Sequence, residues 1–299
     1  MACACLDKSI LKIGFLLKTV FYNAIIFIIL ITRTVKMDSV NKTLYIPLYG
    51  KALVSKKGVI LTDKKAEEIW QKVQFPLTKN SKSKWLAYFL GMRSAVFDEW
   101  TTQRLLQTPN AVVLHLGCGL DSRVERVSNP NALWFDVDFE QVINERKLHY
   151  TQTPNYQMIS ADLKTPDFID DLPQSQNAIV ILEGVSMYLS VSDLYKLFTK
   201  ITTKYPNVNL LIDCYTTFAV NMSKLKNPVN EVGINNLYGI DDPLVLTGNS
   251  GLKFTAEHSL SPDHLISQLT KFEQFIFKTI YAGKTAKKLY KLYEFERLK

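Results

Sequence analysis

No two of the four cysteines (Cys3, Cys5, Cys118 and Cys214) stand at Cys-x-x-Cys spacing, and their intervals form no regular framework. Free thiols in a reducing compartment are therefore expected, with no disulfide scaffold and no metal site. A bilayer-length apolar run is also missing: the uncharged stretch Thr19 to Thr32 has 14 residues, against the ~20 a spanning helix needs, and Lys12 and Lys18 interrupt it upstream. A basic body is absent too. The net charge of +8 resides at the two ends, where residues 1–36 carry five basic residues against Asp7 and residues 284–299 carry six against Glu294 and Glu296. The neutral stretch between them offers no basic path for a polyanion, so no nucleic-acid partner is expected. What is present is 299 residues with 47% hydrophobic content, enough for one large α/β domain with an accessory lid and too apolar for disorder. No internal repeat or low-complexity linker divides the chain.

Residues 1–36 differ from the rest. They resemble a signal peptide, but no small-x-small cleavage site precedes Arg33. They read as an uncleaved anchor, a hydrophobic helix docked on the protein, or non-native sequence upstream of a start at Met37. The last is preferred, because a self-consistent globular pattern begins there. A cytoplasmic location follows from that preference; attachment through residues 10–31 is the alternative. Residues 37–108 are expected to form a helical lid. Within it Leu44 to Tyr49, broken by Pro47, reads as extended, and Asp63 is a helix N-cap candidate followed by Ala66, Ile69, Trp70 and Val73 at helical spacing. A longer helix is expected from Ser83 to Gln107. Its apolar stripe contains Arg93, a buried charge that must meet an acid or a ligand carboxylate.

Residues 109–283 carry a regular alternation. Strands are expected at Ala111–Gly117, Leu133–Asp138, Tyr156–Ala161, Ala178–Glu183 and Val208–Tyr215, separated by helical segments. The fold class is thus α/β, a doubly wound, mostly parallel, Rossmann-like sheet. Leu252–Leu260 and Phe272–Ala282 are expected to close it as a hairpin around a helix over Pro262–Thr270, and residues 284–299 to form a basic C-terminal helix. The first strand runs into Gly117-Cys118-Gly119, a turn through which a ligand can approach the backbone. About twenty residues on, Leu133–Asp138 ends in acids, where a doubly wound site holds ribose hydroxyls. The third glycine of a dinucleotide fingerprint is replaced by Ser122, which ranks NAD and FAD behind S-adenosylmethionine. Four strand ends carry an acid (Asp138, Asp162, Glu183 and Asp213), and a crevice collecting them would repel itself without a cationic ligand. A sulfonium bearing an α-amino group supplies that charge.

The segments LHLGCGLDSR, WFDVDFEQVINERKLHY, ISADLKT and ILEGVSMYL resemble, in that order, the motifs of class I methyltransferases of the leucine carboxyl methyltransferase and tetracenomycin-type O-methyltransferase family. TLYIPLYGKAL and GMRSAVFDEW are similar to the tetracenomycin-type branch. The resemblance implies S-adenosylmethionine as cofactor. It puts Arg93 on the methionine carboxylate, Gly117 and Gly119 in the glycine turn, Asp138 on the ribose hydroxyls and Asp162 with Leu163 around the adenine. Glu183 then faces the methionine end, with Tyr188 a candidate for substrate binding. It also implies an oxygen acceptor. A carboxylate, ionised at neutral pH, needs no general base, whereas a phenol with pKa near ~10 does, and the sequence offers no base that can be placed. The expected acceptor is a carboxylate of a small molecule or peptide. A phenolic or polyketide hydroxyl, or a non-catalytic cofactor-binding subunit, are the alternatives.

Overall fold

The computed structural model describes residues 39–73, 75–127, 129–225, 237–283 and 288–298. The expectations for residues 1–36, including Cys3, Cys5 and an anchor at 10–31, lie outside them. Among the described residues no helix is long and apolar enough to cross a membrane. Three helices come first: α1 (Ser39–Lys57), α2 (Lys64–Val73) and α3 (Lys84–Gln107). Asp63 caps α2 as its position predicts, its Oδ1 accepting from Ala66 N at 2.8 Å. Leu44–Tyr49 is not extended but lies inside α1, which continues through Pro47. Burial of Ile46, Leu48 and Val54 outweighs the hydrogen bond that a proline cannot donate.

The sheet then begins. β1 (Val112–Leu116), β2 (Leu133–Asp138), β3 (Tyr156–Ser160), β4 (Asn177–Leu182) and β5 (Asn207–Tyr215) are parallel neighbours in the order β3-β2-β1-β4-β5. Every residue of β1 is buried, as an apolar run without alternation requires in a sheet covered on both faces. Val113 and Ile181 face the core shared with α1 and α3, while Val112, Leu114 and Val180 face a second core. Into that second core pack Leu194, Leu197 and Phe198 of α6 (Val191–Lys204), a helix that opens on a Ser190–Asp193 capping box. The shorter crossovers are α4 (Arg123–Arg126) and α5 (Glu140–Arg146); only a 3-10 turn, Pro166–Ile169, follows Thr165. After β5 come α7 (Thr217–Leu225), β6 (Lys253–Glu257), α8 (Asp263–Ile266), α9 (Lys271–Ile280) and β7 (Tyr290–Arg297).

The C-terminal third departs from expectation twice. Phe272–Ala282 is not a strand: Thr270 and Glu273 form a capping box, and the segment continues as α9 with Phe277 buried and Phe272 and Phe275 outside. The second strand of the closing hairpin is supplied instead by residues expected to be a basic helix. β7 inserts antiparallel between β5 and β6, from Val208↔Arg297 to Tyr215↔Tyr290 on one side and at Lys253↔Glu296 on the other. Leu292, Tyr293, Glu294 and Phe295 are all buried there, so the strand lacks the two-residue alternation that marks a one-sided sheet.

Candidate active site

Strand order reverses between β1 and β4, and in open α/β sheets ligands bind beyond the carboxyl ends of the strands at such a point. A cavity of about 650 Å³ lies there, within the range of small-molecule sites. All eight residues expected in the site (Arg93, Gly117, Gly119, Asp138, Asp162, Leu163, Glu183 and Tyr188) line it. Those from β1, β2 and the turn after β3 form one end. The loop after β4, the end of β5 and the start of β7 form the other, and α1 covers the middle with Leu44, Pro47 and Lys51.

The two glycines of the turn have different reasons. Gly117 has φ +70°, and a Cβ there would stand 2.1 Å from Val185 Cγ2 of the loop after β4, so its missing side chain admits a neighbouring side chain and not a ligand. Gly119, at φ +53°, has only Leu44 Cδ2 near its missing Cβ, at 3.4 Å. Its N–H donates to Asp138 Oδ2 at 2.8 Å, and Phe139 N–H donates to Oδ1 at the same distance. Each carboxylate oxygen keeps a further lone pair, an arrangement suited to a vicinal diol. Burial pushes the Asp138 carboxyl above its usual range, only partly countered by those two donors. Asp162 Oδ1 accepts from Lys164 N–H at 2.9 Å, next to Leu163.

At the other end the expectation of mutually repelling acids does not hold. Arg93 Nε donates to Glu183 Oε1 at 3.0 Å, and its Nη1 lies 3.2 Å from Asp213 Oδ2 and donates to Tyr290 Oη at 2.9 Å. Arg123, fully buried, donates through Nη2 to Glu183 Oε2 and through Nε to Asp98 at 2.7 Å. Burial alone would raise Glu183, but the two guanidiniums outweigh it and hold the carboxyl down at about 2. Asp213 accepts from Gly184 N–H at 2.7 Å and from Tyr290 Oη at 2.7 Å. Protein cations and N–H groups thus pair both carboxylates, while burial and the neighbouring Glu183 still push the Asp213 carboxyl up. The Arg93 alternatives merge, because the side chain is ion-paired and also faces the cavity. Its Nη2 lies where a side chain on Gly184 would come within 3.2 Å.

His115 is a satisfied core histidine. Arg123 Nη1, which can only donate, contacts its Nε2 at 3.2 Å, so Nδ1 carries the proton and donates to Asp136 at 3.1 Å. Cys118 is buried and its thiol is pushed well above the ordinary range, which removes it as a nucleophile. The sequence reading missed Lys51, Tyr215, Tyr238 and Tyr290 as cavity residues. Lys51 is buried on α1 with its Nζ 2.5 Å from Asp121 Oδ2, and it ties the covering helix to the glycine turn. A lysine inside the apolar face of α1 was the available signal. Nothing local marks Tyr290, whose place follows from a strand that reads as a helix.

Parallel strands in this order, an antiparallel β7 inserted before β6, and an acid held by the glycine turn at the switch point define a Rossmann-like S-adenosylmethionine-dependent methyltransferase. The anchored Asp138 carboxylate and the cationic Arg93 fit that cofactor. The profile of leucine carboxyl methyltransferases matches residues 29–202, and the chain belongs to that family. It is similar to the tetracenomycin polyketide synthesis O-methyltransferase TcmP of Streptomyces glaucescens, 28% identical over 247 residues that cover 82% of this chain and 92% of that protein. It is also similar to the S-adenosyl-L-methionine-dependent methyltransferase dpfgK of Gibberella zeae, 26% identical over 246 residues covering 74% and 82%. Among solved structures, the magnesium protoporphyrin IX methyltransferase of Synechocystis PCC 6803 with bound SAH covers 77% of this chain and 94% of its own, at 12% identity and a TM-score of 0.46.

Proposed function

We propose that this chain transfers the methyl group of S-adenosylmethionine to a carboxylate oxygen of a small molecule or peptide. The cofactor supplies an electrophilic methyl on a sulfonium; the protein holds, orients and excludes water. Asp138 receives the ribose hydroxyls, Asp162 and Leu163 frame the adenine, and Gly117 and Gly119 shape the turn between them. Arg93 directs Nη2 to the methionine carboxylate, while Glu183, held ionised, faces the sulfonium end and Tyr188 borders the acceptor.

The observation that supports a carboxylate is the state of the cavity's acid–base groups. Glu183, at about 2, is too weak a base to take a phenolic proton near ~10, and His115 has both nitrogens engaged. Burial drives the tyrosine hydroxyls of Tyr188, Tyr215 and Tyr290 upward, so they remain protonated donors. An acceptor that arrives ionised fits such a site. A second reading is O-methylation of a phenolic or polyketide hydroxyl; the similarity to TcmP supports a polyketide acceptor and does not choose between its oxygens. Screening metabolite acids, phenols and peptides with methyl-labelled cofactor separates these readings. A carboxyl methyl ester releases labelled methanol in mild base, whereas a base-stable ether refutes the carboxylate reading. Cofactor binding without any transfer would indicate a non-catalytic subunit.

We place the protein in the cytoplasm with no nucleic-acid partner, consistent with free Cys118 and Cys214. Fractionation of cells expressing the full chain and a Met37-start form tests this against membrane attachment through residues 10–31.

A further inference from the structure

Among the described residues, Tyr215 lines the cavity and carries a buried hydroxyl without a partner. Tyr215 is only 2% exposed, yet its Oη, at the end of β5, makes no hydrogen bond there. Its ring is fixed edge-on against Tyr290, with centroids 5.0 Å apart, and its carbonyl accepts from Ile240 N–H at 2.7 Å. A buried donor without a partner is a standing cost unless something arrives to accept from it. The neighbouring hydroxyl of Tyr290 is already spent between Arg93 and Asp213.

Position names the occupant. β5 lies three strand steps from β2, which carries Asp138, or about 14 Å at ordinary strand spacing. With a nucleoside at Asp138, its methionine arm at Arg93 comes up beside Tyr290, and the remaining lining of Tyr215, Tyr188 and Tyr238 is left to the acceptor. We propose that Tyr215 donates its hydroxyl to the acceptor oxygen and is the specificity-determining residue for an acceptor with an oxygen on a flat apolar body. Tyr188 and Tyr238 supply the aromatic walls of the same cavity. The placement of the donor is independent of the acceptor's charge; that the oxygen belongs to a carboxylate rests on the proposed function.

The test uses wild-type protein and Tyr215→Phe, each saturated with S-adenosylhomocysteine, titrated with 2-naphthoate and 2-naphthol in a calorimeter. Wild type should bind 2-naphthoate more tightly than 2-naphthol. Tyr215→Phe should bind 2-naphthoate about tenfold more weakly. The variant should keep its affinity for S-adenosylhomocysteine and melt no lower than wild type, since it loses a hydroxyl that had no partner. Equal affinities of variant and wild type for both probes, no binding of either probe to wild type, or a lowered melting temperature would each overturn the inference. A variant that loses affinity for 2-naphthol, in a protein that prefers it, would uphold Tyr215 as the acceptor's donor while refuting the carboxylate reading.

Discussion

Asp138→Ala tests the nucleoside end most directly. The carboxylate receives Gly119 N–H and Phe139 N–H, each at 2.8 Å, and on the proposed assignment its remaining lone pairs take the two ribose hydroxyls. Truncation removes both of those charged acceptors, which predicts a loss of about 1–3 kcal/mol in cofactor binding, or about 5- to 150-fold in Kd. It also unstitches the glycine turn, so weakened affinity alone would not prove contact. The decisive measurement is a cycle in which S-adenosylhomocysteine and its 2′-deoxy analogue are titrated against both proteins by calorimetry. Removing the 2′-hydroxyl should weaken binding to wild type severalfold and have little further effect on Asp138→Ala. Because burial raises the Asp138 carboxyl above its ordinary 3.8, wild-type affinity should also begin to fall, on acidification, at higher pH than a solvated aspartate would dictate. Unchanged Kd in the variant, or fully additive losses in the cycle, would refute the assignment of the ribose to this residue.

Gly117→Ala should destabilise the fold and weaken cofactor binding, because its Cβ would sit 2.1 Å from Val185 Cγ2 at φ +70°; Val185→Ala in the same chain should recover only part, and a neutral single variant in thermal melts would contradict the packing described. Arg123→Met removes the fully buried guanidinium shared by Glu183 and Asp98, and a loss of about 3–5 kcal/mol is expected in urea unfolding, where a shift below about 1 kcal/mol would show the acids to be held by other groups. Glu183 has a depressed carboxyl, so the stability it confers is complete above its unfolded value of 4.5 and is lost as pH falls toward about 2. Glu183→Gln should therefore be less stable than wild type at neutral pH and converge with it near pH 2; parallel curves across that window would count against the pairing.

The parallel half of the fold could be read in the sequence because fully buried strands are uniform apolar runs set off by glycines and acids. Val112–Leu116 and Asn177–Leu182 are of that kind, and pairing with each other requires nothing beyond their own composition. The antiparallel edge could not. Residues 290–297 interleave Lys291, Glu294 and Glu296 with aromatics, which imitates a basic amphipathic helix. The strand tolerates its buried acid because Glu294 finds Trp100 Nε1 at 2.8 Å, Arg104 and His258, partners 36 to 194 positions away. Local propensity also misled at Phe272–Ala282, where three phenylalanines suggest a strand until the Thr270–Glu273 box is recognised as a helix start.

The same division runs through the site. The cavity's acids Asp138, Asp162 and Glu183 were visible because each closes a strand, a position in the chain that the fold converts into a position in space. What neutralises Glu183 was hidden: Arg93 comes from α3 and Arg123 from α4, 90 and 60 positions from the carboxylate they share. That difference changes the physics of the site. An acid cluster awaiting a cation would bind any cation that fits, whereas a Glu183 already paired to two fixed guanidiniums is an oriented, weakly basic group. On the proposed function, a Glu183 of that kind cannot deprotonate a neutral hydroxyl, and the choice of acceptor passes to oxygen atoms that arrive charged and to whichever donor remains uncommitted to receive them.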